Sequence, residues 1–230
     1  VTYSSSSDNP TVTANSRTVT WAVTDANSAG ACTSVGVTST IGINAVNDAP
    51  TTGNKTLSAT EDTAYIFSSD NFSFSDVEGD NISKVKITTL ESAGTLYVDA
   101  DNDDTYDSGE DVTLNQEVAI SNIANLQFIA ASNANGTSYA TFGFKVSDGI
   151  AWSESAGTIT INVAAVNDAP TAVNKTLSAA EDTVYTFSSS DFLFSDVDGD
   201  SISKIKITTL ENAGTLYVDA DNDDTYDSGE

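Results

Sequence analysis

The chain has 230 residues, with 34 Asp and Glu against 8 Lys and Arg and a formal net charge of −26. A surface this anionic repels nucleic acid and acidic lipid headgroups, because binding either needs clustered cations that release counterions; its natural partners are cations. With no His and one Cys, Cys32, His-based triads, His zinc sites and an internal disulfide are all excluded, and no run of about 18 apolar residues is present to insert directly into a membrane.

The opening Val1-Thr2-Tyr3-Ser4 has neither the basic start nor the apolar stretch of a signal peptide, so an export signal is expected outside this sequence. Thr18 to Asp25 alternates as a strand does and aligns with Thr141 to Asp148, which gives Trp21 the position that Phe144 holds, on an expected core face. Ala45-Val46-Asn47-Asp48-Ala49-Pro50 then recurs as Ala165-Val166-Asn167-Asp168-Ala169-Pro170, an offset of 120, and residues 51–110 match 171–230 at 48 of 60 positions. An internal repeat decides the architecture. Residues 49–168 are read as one complete repeat, 1–48 as the second half of a preceding one and 169–230 as the first half of the next, a window onto a longer array.

Within the complete repeat the apolar period is two. Val85 and Ile87 alternate with Lys84 and Lys86; Ala140, Phe142, Phe144 and Val146 with Tyr139, Thr141, Gly143 and Lys145; Ile159, Ile161 and Val163 with Thr158, Thr160 and Asn162. Such alternation of β-branched and aromatic residues marks half-buried strands. The pattern predicts seven, near 55–59, 63–67, 82–89, 94–99, 112–119 with 123–129, 139–147 and 157–166, and no helix. The expected fold is all-β, in tandem Greek-key β-sandwich domains of immunoglobulin or cadherin type.

Two acidic motifs carry chemistry. From Asp99 to Glu110 carboxylates fall at positions 1, 3, 5, 9 and 12 as Asp99, Asp101, Asp103, Asp107 and Glu110, with the Thr105 carbonyl at position 7. This is the spacing of an EF-hand-type calcium loop, in which alternate side chains turn inward and a terminal Glu closes the shell. Position 6, usually Gly, is Asp104, which must then accept a left-handed backbone. The flanks read as strands, so the expectation is a calcium loop on a hairpin rather than a helix-loop-helix. A solvated acidic turn is the plainer alternative, yet it would not require six negative charges in twelve residues. The loop recurs unchanged, giving Asp219, Asp221, Asp223, Thr225, Asp227 and Glu230 as a second ligand set. The shorter motif is Asp76, Glu78 and Asp80 around Gly79, repeated as Asp196, Asp198 and Asp200 around Gly199; it reads either as a metal turn or as a polar hairpin tip.

The linker Asn-Asp-x-Pro, the Glu-Asp at Glu61-Asp62 and Glu181-Asp182, and the later Asp-x-Asp turn together resemble the cadherin-like tandem repeats of giant bacterial surface adhesins. The resemblance implies interdomain calcium, with Asn167, Asp168, Glu181, Asp196 and Asp198 as the corresponding positions. The chain departs from cadherins at Ala49 and Ala169, where a second Asn is usual, and lacks an Asp-Arg-Glu element.

The function expected is therefore structural and not enzymatic: calcium-binding extender repeats of a large surface adhesin, extracellular on a bacterial cell, with calcium ions and neighbouring repeats or protomers as partners. Two alternatives stand beside it. One is a subunit of a polymerising filament or sheath assembled head to tail through split domains; the other is a glycan- or protein-binding module, for which no exposed aromatic cluster is evident. Paired carboxylates could serve a glycosidase, but these recur as loop clusters rather than converging on one pocket. Cys32 is expected to be a small loop or core residue.

Overall fold

A computed structural model describes residues 1–12, 14–26, 29–220 and 226. The chain divides into two compact units, Val1–Ala165 and Val166–Glu230. It is all-β: the described residues hold strands and three short 3-10 turns, and no α-helix.

In the first unit, β1 (Ser16–Trp21) and β2 (Val37–Gly42) form an antiparallel ribbon. The strands that follow are β3 (Lys55–Thr60), β4 (Tyr65–Ile66), β5 (Lys84–Thr89), β6 (Thr95–Val98), β7 (Glu117–Ala119), β8 (Leu126–Ile129), β9 (Gly136–Ser147) and β10 (Gly157–Ala164). They make a five-stranded sheet in the order β3-β10-β9-β5-β7 and a three-stranded sheet in the order β4-β8-β6. Pairing is antiparallel except between β3 and β10, which run parallel with Lys55 opposite Ile159. Both sheets feed one core. Val85, Ile87, Phe142, Phe144, Ile159 and Ile161 come from the larger sheet, Leu96, Leu126 and Phe128 from the smaller. The period-two reading is thus met in space, since the alternating polar residues of β5 and β10 lie outside this core.

Three expectations need correction. The strand predicted over 112–119 begins only at Glu117. Asn115 turns with φ 66°, the Gln116 amide donates to the Thr113 carbonyl at 3.0 Å, and the Gln116 side chain accepts from the Thr113 amide at 2.8 Å. The turn takes the Gln116 amide and both Thr113 backbone groups, so contact with β5 before Glu117 is reduced to the Asn115 amide and Gln116 carbonyl on Ile87. Ile120–Asn125 is a 3-10 segment, so β8 starts at Leu126 rather than 123. Trp21 is exposed instead of lying on a core face; the outer residues of the β1–β2 ribbon bury little, and its indole N–H donates to Ser39 Oγ at 2.8 Å. Cys32 is an exposed loop residue with a free thiol.

Among its described residues the second unit contains one short ladder, β11 (Thr171–Ala172) against β12 (Phe194–Ser195), and a 3-10 turn at Ser189–Asp191. Its residues 171–220 nearly repeat 51–100 in sequence, yet their burial differs. Phe67 is 1% exposed and Ile87 0%, whereas their counterparts Phe187 and Ile207 are 46% and 52% exposed. Turns, by contrast, recur in detail. Gly79 and Gly199 have φ of 84° and 78°, and Asp62 and Asp182 have φ of 55° and 58°.

Candidate metal centre

The loop after β6 is built on Asp99, a carboxylate only 2% exposed at the strand end. Its Oδ1 accepts the amides of Asn102 at 2.7 Å and Asp103 at 3.3 Å. Its Oδ2 accepts the Asp104 amide at 3.0 Å and Gln127 Nε2 at 3.2 Å. Folding the chain this tightly round one side chain demands left-handed backbone, and Asn102 and Asp104 both sit at φ 61°. Asp104 thus adopts the conformation expected where an EF-type loop carries Gly.

That fold brings Asp99, Asp101 and Asp103 together, with one oxygen from each lying within 4.8 Å of the others. Oxygens that share an ion at about 2.4 Å can be no more than about 4.8 Å apart, so the spacing meets one necessary condition for a shared divalent cation, and the donors are of the hard oxygen type that calcium takes. Two of the other expected ligands also brace the loop. Thr105 donates its amide and hydroxyl to Asp103 Oδ1 at 2.8 and 2.7 Å. Glu110 Oε1 accepts the Ala100 amide at 2.7 Å and Oε2 the Asp107 amide at 2.9 Å, which closes the ring of backbone from both sides. Asp107 and Glu110 are not grouped with the three central carboxylates.

The electrostatics follow the geometry. Asp101 has its carboxyl raised above the usual range, chiefly by the Asp103 charge, then by desolvation and by Glu110, Asp107 and Asp99. Asp103 is lowered because the Thr105 hydroxyl and amide stabilise its charged form. Tyr97, on β6 beneath the loop, is raised by burial and then by Asp99 and its neighbours. The loop therefore concentrates negative field at Asp101, and a cation is what would relieve it.

A second acidic group lies at another end of the same unit. Asp76 Oδ1 gathers the amides of Glu78, Gly79 and Asp80 at 2.9, 3.1 and 3.1 Å, a turn that needs the positive φ of Gly79. Glu78 Oε2 accepts the Asp48 amide at 3.2 Å, and Asn47 Nδ2 donates to Asp148 Oδ2 at 2.9 Å. Adjacent linker residues so tie together the Asp76–Asp80 turn and the end of β9. Burial opposes ionisation of Asp148, but the Ala151 amide, Asn47 and the Ile150 amide outweigh it and hold its carboxyl below the usual range. Among the described residues, Asp76 Oδ2 and Glu78 Oε1 are buried with no hydrogen-bond partner. Buried carboxylate oxygens without donors are costly unless a cation meets them.

In the second unit the same turn is present in part. The Asp168 amide donates to Asp198 Oδ2 at 2.8 Å, Asn167 Nδ2 to the Asp168 carbonyl at 3.0 Å, and the Asp200 amide to Asp196 Oδ1 at 3.0 Å. Glu181 is exposed in a turn, while its counterpart Glu61 is buried and accepts Asn135 Nδ2 at 3.0 Å. Asp219 is half-buried; Asp221, Asp223, Thr225, Asp227 and Glu230 lie outside the described residues.

Compared with protein-family models, curated proteins and solved structures, the chain matches none. The chemistry of the site rests on its own residues. The participant that sequence reasoning missed is Gln127 of β8, and the signal was a lone amide inside the apolar run Leu126-Gln127-Phe128-Ile129.

Proposed function

We propose that this chain carries calcium-binding structural repeats, extender modules of the kind that hold a distal binding domain of a bacterial surface adhesin away from the cell. The observation that carries the reading is the convergence of Asp99, Asp101 and Asp103 at a spacing suited to one calcium ion. The buried Asp76 and Glu78 oxygens beside linker residues Asn47 and Asp48 support a second calcium position, at a junction. The two sheets with their shared core, and the β3-β10-β9-β5-β7 and β4-β8-β6 orders, support a Greek-key sandwich of immunoglobulin or cadherin type.

The mechanism is electrostatic. Carboxylates held together without a cation repel one another and loosen their loop; a divalent ion neutralises them and fixes the backbone between β6 and β7. Moderate sites of this kind stay filled at extracellular, millimolar calcium, which is the compartment the reading requires. Calorimetric titration of the chain with calcium and with magnesium tests it. Saturable calcium binding that magnesium does not reproduce is expected, and the absence of any calcium heat would sink the reading.

The second reading, a subunit of a filament completed between protomers, is favoured by the exposed Phe187, Ile205, Ile207 and Leu216, whose counterparts Phe67, Val85, Ile87 and Leu96 are buried. Sedimentation across a wide concentration range tests it: a purely monomeric chain would remove it.

A further inference from the structure

We infer that Gln127, which lies outside the twelve-residue loop, is the positioning residue of the cation cage and couples its occupancy to the three-stranded sheet. The inference rests on the calcium reading above. Gln127 sits on β8, the middle strand between β4 and β6, and is 1% exposed. Its amide bridges three groups: Tyr97 OH donates to Oε1 at 2.9 Å, and Nε2 donates to Asp99 Oδ2 at 3.2 Å and Asp104 Oδ1 at 3.3 Å. The orientation follows from chemistry. Ionised carboxylates only accept, so the nitrogen must face Asp99 and Asp104, which leaves the oxygen for the tyrosine hydroxyl.

Each contact acts on the cage. Four donors, three backbone amides and Gln127, hold both oxygens of Asp99 and set its rotation, on which the approach to Asp101 and Asp103 depends. Asp104 holds a left-handed backbone at a position where Gly would be free to turn; its side chain is tied to Gln127 and its amide to Asp99. Gln127 is the one described side chain that holds both the first carboxylate and the strained turn. Tyr97, itself buried on β6, fixes Gln127 from the other side. A change at the cage is therefore passed to β6 and β8, and by reciprocity a loosened β6–β8 pair weakens the cage.

The test uses the full chain with the copied loop silenced by Asp221→Asn and Asp223→Asn. Calcium affinity is measured by calorimetry, and melting is measured in chelator and in calcium. Gln127→Met keeps the length and removes the donors; calcium binding is expected to weaken about 10- to 100-fold, the range seen when a partner of a ligand is lost. Tyr97→Phe keeps the ring and frees Gln127 to rotate; a smaller but measurable loss of affinity is expected. A residue that only supported the fold would lower melting equally in both conditions and leave the calcium affinity unmoved, and that result overturns the inference. Should Gln127→Met fail to fold, Tyr97→Phe decides: unchanged affinity overturns the role of Gln127. Asp101→Asn separates the two levels. If it leaves every binding step unchanged, the calcium reading of this loop falls and this inference with it. If it removes the loop's binding step while Gln127→Met keeps that step as tight as in the parent, only the positioning role falls.

Discussion

Replacing Asp101 by Asn should move stability in opposite directions with and without calcium. Asp101 makes no hydrogen bond that holds the loop, whereas Asp99, Asp103 and Glu110 each accept backbone amides. Its removal therefore subtracts charge without opening a turn. In chelator the variant should melt slightly higher than the parent, because the carboxyl most strained by its neighbours is gone. In calcium it should melt lower, because one of three oxygens placed within 4.8 Å is lost as a charged ligand. For one site filled at a hundred times its dissociation constant, mass action contributes about 2.7 kcal/mol. For a unit of this size that is a rise in melting temperature of about 5–11 °C. Asp101→Asn should reduce the rise to a few degrees. The assay is thermal unfolding by circular dichroism in calcium, magnesium and chelator. A variant that melts below the parent by the same margin in all three would refute the reasoning, since it would mean that Asp101 holds the fold and not a cation.

Three further outcomes follow from other parts of the structure. Gly157→Ala should destabilise the first unit by about 1–3 kcal/mol, the range for overpacking, because a Cβ there would meet the Gly53 carbonyl at 2.6 Å and the Phe144 ring at 2.9 Å; an unaltered denaturation midpoint would contradict this. Glu78→Gln should lower the melting temperature in calcium and raise or preserve it in chelator, since one of its oxygens is buried without a donor, and equal melting in both conditions would count against a cation beside Asn47 and Asp48. Asp191 has its carboxyl lowered to about 2 by the Ser188 amide, Lys175 and the Ser188 hydroxyl. Such a depressed group gives stability that is fully present above its ordinary value of 3.8 and is lost as pH falls toward about 2. An NMR titration of that carboxyl checks the midpoint, and Asp191→Asn, the residue already present at Asn71, should abolish this acid sensitivity.

The parts legible from sequence were those encoded locally or by period. Alternation placed β5, β9 and β10 within a few residues, and carboxylate spacing singled out Asp99, Asp101 and Asp103. The late start of the expected 112–119 strand was not legible, because Asn115 and Gln116 read as polar residues within the strand until their turn bonds are seen. Trp21 was misplaced because alternation identifies a face without saying that anything covers it. Spacing makes Glu110 a candidate ligand, and only geometry adds that its two oxygens also accept the Ala100 and Asp107 amides. Gln127 stood out as a lone amide in an apolar run, but its role was not legible because its partners lie 23 to 30 residues away.

The near-identical stretches 51–100 and 171–220 separate two kinds of structural information. Their turns agree, as at Gly79 and Gly199, while Lys84–Thr89 is a strand and its counterpart Lys204–Thr209 is not. Turn geometry is thus written in the residues that make it, whereas strand geometry is borrowed from a partner far along the chain. Lys55 waits for Ile159, 104 residues later. During synthesis, at roughly 5–20 residues per second, residues 51–100 would spend several seconds with formed turns and open edges. Acidic turns that repel their own kind at that stage would keep the open halves apart until the closing strands arrive.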